Sequence, residues 1–283
     1  MPLTETGVLL ATDRSSRTNS AVAAFNVVTL EHAEGIVAGA EAASSPVILQ
    51  VSQNAVAFHG AIHPLTAGLT EIARASAVPV ALHLDHVEDP ALVHRGAAAG
   101  FTSVMVDAGR LPYDENVAET ARQARWLKQN LIFVEAELGY VGGKKTQVQS
   151  AHAEGVRTDP DQAAEYVALT GVNALAVAVG SSHAMTAQTA RLDLDLIGRL
   201  RDRVPVPLVL HGSSGVPDDE LSAAVRAGIG KVNVGTALNV AFTGAIRRWL
   251  NTHDSVDPRP YLNEARAAIC ESVAHIIDVV SGT

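Results

Sequence analysis

Three apolar runs of this chain each break off at a histidine: VPVALHLDH at His86, ALAVAVGSSH at His183 and PLVLHG at His211. Alternating Val, Leu and Ala reads as β-strand, so three imidazoles at three strand exits can converge on one cation only if those strands lie side by side. Three protein nitrogens, with a fourth position left for substrate, describe a catalytic Zn²⁺ site rather than a closed structural one. A lone histidine at a strand end is ordinarily a hydrogen-bonded rim residue, whereas three at once point to a ligand set. Of the eleven histidines, His32, His59, His63, His94, His253 and His275 fall on helical or loop stretches and carry no such signal.

Two Gly-rich exits add a second signal. HGSSG at 211–215 and NVGT at 233–236 bring backbone N–H groups and the hydroxyls of Ser213, Ser214 and Thr236 to one rim, with a helix starting soon after. That combination suits a phosphate. The remaining run ends are also polar: Asn26, then Gln50 and Ser52, then Asp85, Asp107, Glu135 with Glu137, and Asn233.

The elements that must position these residues follow one rhythm. Eight β-type runs occur in order: AAFNVV, PVILQV, VPVALHLD, TSVMVDA, LIFVEAEL, ALAVAVG, PLVLHG and KVNVG. Amphipathic stretches at 31–43, 60–76, 89–99, 115–129, 159–170, 190–203 and 217–227 separate them, each long enough for a crossover helix. This alternation predicts an α/β protein, a single (β/α)₈ TIM barrel over residues 1–283, rather than a doubly wound sheet. In such a barrel the reactive groups stand at the C-terminal ends of the strands, and phosphate often binds after strands seven and eight. Residues 139–158, rich in Gly, Gln and Lys, read as a mobile active-site loop, and residues 251–283, with DPRP in the long segment 251–263, as a C-terminal helical arm.

Composition narrows the class of partner. With 283 residues, 47% hydrophobic and 18% charged, the chain can bury a sizeable core. A net charge of -9 and the lack of a Lys/Arg-rich run argue against nucleic acid and anionic membrane, which leaves a small molecule. The single Cys270 excludes an intramolecular disulfide framework. MPLTETGVLL lacks the basic-then-apolar order of a secretory signal, and no apolar run approaches the ~20 residues of a membrane span, so a cytoplasmic protein is expected.

At these residues the chain resembles the class II, zinc-dependent ketose-bisphosphate aldolases, the fructose- and tagatose-bisphosphate family, nearly end to end. The resemblance rests on AFN at 24–26, HLDH at 83–86, SVMVDA at 103–108, VEAELG at 134–139, LHGSSG at 210–215, KVNVGT at 231–236 and DPRPYL at 257–262. It implies that His86, His183 and His211 hold the catalytic zinc, and that Asp85 protonates the aldehyde oxygen during condensation. Asp107 and Glu137 match positions that bind a second metal or orient the first, and a monovalent cation is an alternative second ion. Gly212, Ser213, Ser214, Asn233, Gly235 and Thr236 match the rim that holds the dihydroxyacetone phosphate half, while Asn26, Gln50 and Ser52 line the same mouth. Arg259 matches an arginine that can reach the far phosphate across a dimer interface, with a surface ion pair as the other reading. The resemblance further implies a phosphorylated ketose substrate, a homodimer or larger homo-oligomer, and a place in carbohydrate metabolism such as glycolysis. No Schiff-base lysine is expected, since Lys231 reads as the opening residue of its strand, at the end opposite the site.

The chain departs from the family pattern at three places. The family's acidic loop after the fifth strand is replaced by GGKKT, putting Lys144 and Lys145 where carboxylates are expected. Either a lysine or Glu154 moves the proton at the enolised carbon, or Lys144 and Lys145 bind an anionic group on a different acceptor; the last is favoured. His-Gly becomes His183-Ala184, and Gly235 stands where fructose-type enzymes carry Asp, which places the site closer to the tagatose-type branch. The competing readings are a member with another phosphorylated keto-sugar or keto-acid substrate, and a non-catalytic zinc and phosphosugar sensor.

Overall fold

The computed structural model describes residues 3–16, 20–139 and 157–282. Eight parallel strands close into a barrel in chain order: β1 (Val22–Asn26), β2 (Val47–Ser52), β3 (Val80–Val87), β4 (Ser103–Val106), β5 (Phe133–Leu138), β6 (Ala174–Val177), β7 (Leu208–Leu210) and β8 (Ile229–Val234). The ring shuts where Val22 pairs with Lys231 and Ala24 with Asn233. Because every strand runs the same way, all eight polar exits fall on one face, as the (β/α)₈ expectation requires.

The period of two within each strand sorts its side chains. On β3, Val80, Leu82 and Leu84 face outward into the layer beneath the helices, whereas Ala81 belongs to the cluster inside the barrel. His83 and Asp85 continue the inward series, and Glu135 with Glu137 on β5 and Lys231 with Asn233 on β8 do the same, being buried between outward-facing apolar neighbours. The N-terminal half of the interior is mainly apolar, apart from the buried hydroxyls of Thr6 and Ser103, which bond to each other at 2.6 Å. Ala24, Ile48 and Ala81 pack there with Leu9 and Leu10 of α1 (Thr6–Ser16), which covers the end opposite the polar exits.

The outer layer comprises α2 (Leu30–Ala42), α3 (Gln53–His59), α4 (His63–Ala75), α5 (Pro90–Ala99), α6 (Tyr113–Gln129), α7 (Pro160–Thr170), α8 (Leu194–Arg203), α9 (Asp218–Ala227), α10 (Thr236–Leu250) and α11 (Arg259–Val280). Three of them start at aspartate caps. Asp89, Asp159 and Asp193 accept first-turn N–H groups of α5, α7 and α8, each stabilising its helix by ~1 kcal/mol. The stretch read as one helix at 60–76 begins later, at His63, and the short α3 precedes it because Ser52 Oγ accepts the N–H of Ala55 and starts a helix directly at the β2 exit. Residues 251–283, expected as an arm, consist mainly of α11, which buries Ala265, Ile269, Val273 and Ile277. Its contact with α2 is close enough that a Cβ on Gly39 would lie 2.6 Å from the Cys270 carbonyl oxygen. Among the described residues no helix is long and apolar enough to cross a membrane.

Candidate active site

Adjacent strand residues should face opposite ways, yet Asp85 and His86 both line one cavity at the polar face. The register shifts between Leu84 and Val87, and His86 takes a φ of 48°, so a bulge turns its ring back toward the barrel axis. Holding a non-glycine residue there costs roughly 1–3 kcal/mol, a strain that commonly marks functional positions. His211 needs no such device, since it continues the inward series of β7 past Val209. Gly212 follows it at φ 69°, where a Cβ would sit 2.6 Å from the Ser182 backbone, so only glycine allows the β7 exit to press against the loop carrying His183.

These turns gather His86, His183, His211 and Glu137 with their donor atoms all within 4.8 Å of one another. His86 Nε2 and His211 Nδ1 are 3.0 Å apart, near the ~3.3 Å edge of a tetrahedron with metal–nitrogen bonds of about 2.0 Å. Glu137 Oε2 lies 3.6 Å from His211 Nδ1. Burial, with His86 alongside, holds the His211 imidazole well below its ordinary value, which leaves it neutral and able to ligate. Three imidazoles and one carboxylate form a donor set that fits a divalent transition metal. Asp107 stands outside that group: its Oδ2 accepts from His86 Nδ1 at 2.8 Å, which directs the Nε2 lone pair inward.

Asp85 is buried beside the cluster and is held by a relay, Gln50 Nε2 donating to Asn26 Oδ1 at 2.8 Å and Asn26 Nδ2 to Asp85 Oδ2 at 3.3 Å. Burial would raise this carboxyl, but the His86 ring, the Lys231 ammonium and the Asn26 bond outweigh it and keep the group below the usual carboxylate value. Its Oδ1 is buried, makes no hydrogen bond among the described residues and lies 3.9 Å from His83 Nε2.

The cavity, about 290 Å³, is also lined by Gly212, Ser214, Asn233, Gly235 and Thr236. Ser213 does not line it; its hydroxyl donates to the Asn233 carbonyl and holds the rim from beneath. Ser214 Oγ accepts the Ala237 N–H, tying that rim to the first turn of α10, which has no side-chain cap at Gly235. Ala237 N–H is thus taken by Ser214 Oγ, and Leu238 and Asn239 N–H by the Gly235 carbonyl. The positive end of the α10 dipole lies at the cavity rim, where an anion can sit. Gly235 matters sterically as well, since a Cβ there would lie 2.9 Å from Asn26 Oδ1.

Asn26, Gln50, Ser52, Asp85, His86, His183, His211, Gly212, Ser214, Asn233, Gly235 and Thr236 therefore share one cavity, and Val27, Val28, Ala184 and Asn239 complete it. Ser52 serves twice, in the mouth and as the cap of α3. Arg259 is not brought to the mouth; it is exposed and bonded to Asp257. Lys144, Lys145 and Glu154, and most of the 139–158 loop, lie outside the described residues. One expectation is corrected: Lys231 is fully buried inside the barrel, with Nζ 2.6 Å from Glu135 Oε2, because β8 begins two residues earlier than its apolar pattern suggests.

A family profile described as Fructose-bisphosphate aldolase class-II matches residues 9–283. The chain belongs to the class II fructose-bisphosphate aldolase family. It is a class II aldolase, an aldehyde-lyase of the ketose-bisphosphate type. A curated relative of this aldolase, the D-tagatose-1,6-bisphosphate aldolase subunit GatY of Klebsiella oxytoca, is 36% identical over 271 residues, covering 94% of each chain. Among solved structures, the YdjI aldolase from Escherichia coli K12 superimposes with a TM-score of 0.86 at 30% identity, over 98% of this chain and 97% of that one. The fructose-bisphosphate aldolase from Campylobacter jejuni, at 20% identity and a TM-score of 0.81 over 99% and 96% of the two chains, shares the fold.

Proposed function

We propose that this aldolase cleaves a phosphorylated ketose of the tagatose-bisphosphate type to dihydroxyacetone phosphate and an aldehyde, and that His86, His183 and His211 hold its zinc. The observation that carries the reading is the meeting, in one cavity, of three imidazole donors, the carboxyl of Asp85 and the Gly/Ser/Thr rim at the start of α10. Zn²⁺ bound there would act as a Lewis acid on the ketone of the substrate.

In the cleavage direction Asp85 accepts the proton of the hydroxyl beside the bond that breaks. That bond's electron pair moves toward the ketone carbon, and the oxygen left behind becomes the aldehyde carbonyl. A carboxyl held below its usual value is in the form required to accept that proton, and in condensation it returns it. Asn26 and Gln50 aim the carboxylate. Gly212, Ser214, Gly235 and Thr236 bind the phosphate of the dihydroxyacetone half through N–H and hydroxyl donors. Lys144 and Lys145 are assigned to an anionic group on the acceptor half. The tagatose preference rests on Gly235, where fructose-type enzymes carry Asp but Asn26 Oδ1 here stands 2.9 Å from where a Cβ would be, and it agrees with the relationship to GatY. Glu137 is assigned to the same metal or to a second divalent or monovalent cation, Asp107 to the orientation of His86, and Arg259 to the far phosphate across a homodimer or larger homo-oligomer.

The test is release of dihydroxyacetone phosphate from a panel of ketose bisphosphates, with and without exhaustive chelation. Metal-dependent release, faster from tagatose than from fructose bisphosphate, is expected. Unchanged release after chelation would overturn the zinc assignment. Tight binding of every ketose without release would favour the sensor reading.

A further inference from the structure

Beneath the donor cluster lies a pair of buried charges that take no direct part in the steps above. Glu135 on β5 and Lys231 on β8 meet across the barrel interior, both 0% exposed, and neither lines the cavity. Glu135 Oε2 accepts from Lys231 Nζ at 2.6 Å, and its other oxygen, Oε1, is 3.0 Å from His211 Nε2. The opposite ring nitrogen, Nδ1, is the one that faces His86 and Glu137.

A carboxylate oxygen only accepts and an ammonium only donates. With Lys231 donating to one oxygen, Glu135 offers the other as an acceptor, so His211 Nε2 must carry hydrogen and Nδ1 must present its lone pair. Asn233 agrees once its amide is turned. Its Nδ2 is 3.0 Å from the same Nε2, while its Oδ1 makes no hydrogen bond among the described residues. Exchanging the two ends puts the oxygen against the Nε2–H.

We infer that Lys231 and Glu135 are a buried positioning pair that fixes His211 in the tautomer whose Nδ1 lone pair points at the metal. Asp107 does the same for His86, so two ligands from opposite sides of the centre are each set by a carboxylate. The Lys231 ammonium, taken up by Glu135 and away from the cavity, is thereby also excluded as an amine nucleophile. This inference rests on the metal-centre reading above, and the experiment separates the two.

In Glu135→Gln the amide still faces Lys231, which has no acceptor. The amide must therefore give its oxygen to Lys231 and its NH₂ to His211 Nε2, which moves the ring hydrogen to Nδ1 and points an N–H at the metal. Cobalt(II) and zinc affinities of the full-length protein, read by cobalt absorption and competition, should fall about 10–100-fold. The double variant Glu135→Gln/Lys231→Met frees the amide to turn and should recover most of that loss. A purely structural pair predicts the reverse, a double variant no better than the single one. Wild-type affinity in Glu135→Gln, or no recovery in the double variant, would overturn the inference. Nitrogen-15 shifts of His211 in the metal-free wild type give an independent reading should either variant fail to fold. The Nε2–H form supports the pair and the Nδ1–H form contradicts it. Wild-type protein that holds neither metal would refute the metal centre itself, while the same shifts would still decide the tautomer.

Discussion

The two ends of one barrel interior are built from the same strands with the same period of two, yet they do opposite work. Toward the strand N-termini the inward residues are Ala24, Ile48 and Ala81, sealed by Leu9 and Leu10 of α1. A few residues later on those strands they are Asn26, Gln50, His83 and Asp85, joined by Glu137, His211 and Asn233. The apolar end needs only volume to be filled, while at the polar end each buried donor or acceptor needs a specific partner. The lesson is that stability and chemistry here are separated along the strands rather than between regions of the chain, and substitutions at the two ends should be separable.

Asp85→Ala tests the polar end most severely. Turnover should fall ~10²–10⁴-fold with metal still bound and the melting temperature little changed, as kinetics, metal analysis and calorimetry would show. Metal lost together with rate would move Asp85 into the ligand set. Ile48→Ala tests the other end, where the cavity created should cost about 2–5 kcal/mol by urea unfolding while kcat/KM stays within about twofold. A tenfold loss of kcat/KM in folded protein would show that the two ends are not independent.

Acid should sharpen the same contrast. Burial, more than any neighbour, holds His83 and His211 well below the ordinary value of 6.5. The unfolded chain takes up protons there that the folded chain refuses. The stability of the chelated protein is therefore fully present above that pH and is lost below it, by about 1.4 kcal/mol per group for each pH unit until the folded-state value is reached. Urea midpoints at neutral and mildly acidic pH check this, and a flat profile would place one or both rings in contact with solvent. The smallest effect is expected at Ala184, which lines the cavity at a φ of 60°. Ala184→Gly should stabilise the protein by about 1 kcal/mol or less, measurable as a rise in melting temperature.

Much of this was legible in the sequence because it is local. Each strand carries its own alternation and its own polar exit, so the barrel, the three histidines, Asp85 and the Gly/Ser rim could be read run by run. What escaped reading depends on contacts across the barrel. Lys231 looked like the residue opening KVNVG, but its neighbours Val22 and Val209 place it inside the ring, and Glu135, its partner, lies 96 residues away in sequence. His86 carries no local mark of the bulge that turns it inward, since nothing in HLDH distinguishes it from a regular strand end. Asp107 reads either as a metal ligand or as an orienting group, and its 2.8 Å contact with His86, which the sequence does not show, favours the second.

A cation held by His86, His183, His211 and Glu137 is the centre of the proposed chemistry. The most direct measurement is a zinc titration of chelated protein, following bound metal by mass spectrometry and dihydroxyacetone phosphate release in the same samples. Turnover should return in proportion to bound zinc and saturate at one ion per chain, and His211→Ala should regain neither metal nor activity. Full turnover in the metal-free protein, or a stoichiometric ion retained by His211→Ala, would contradict it.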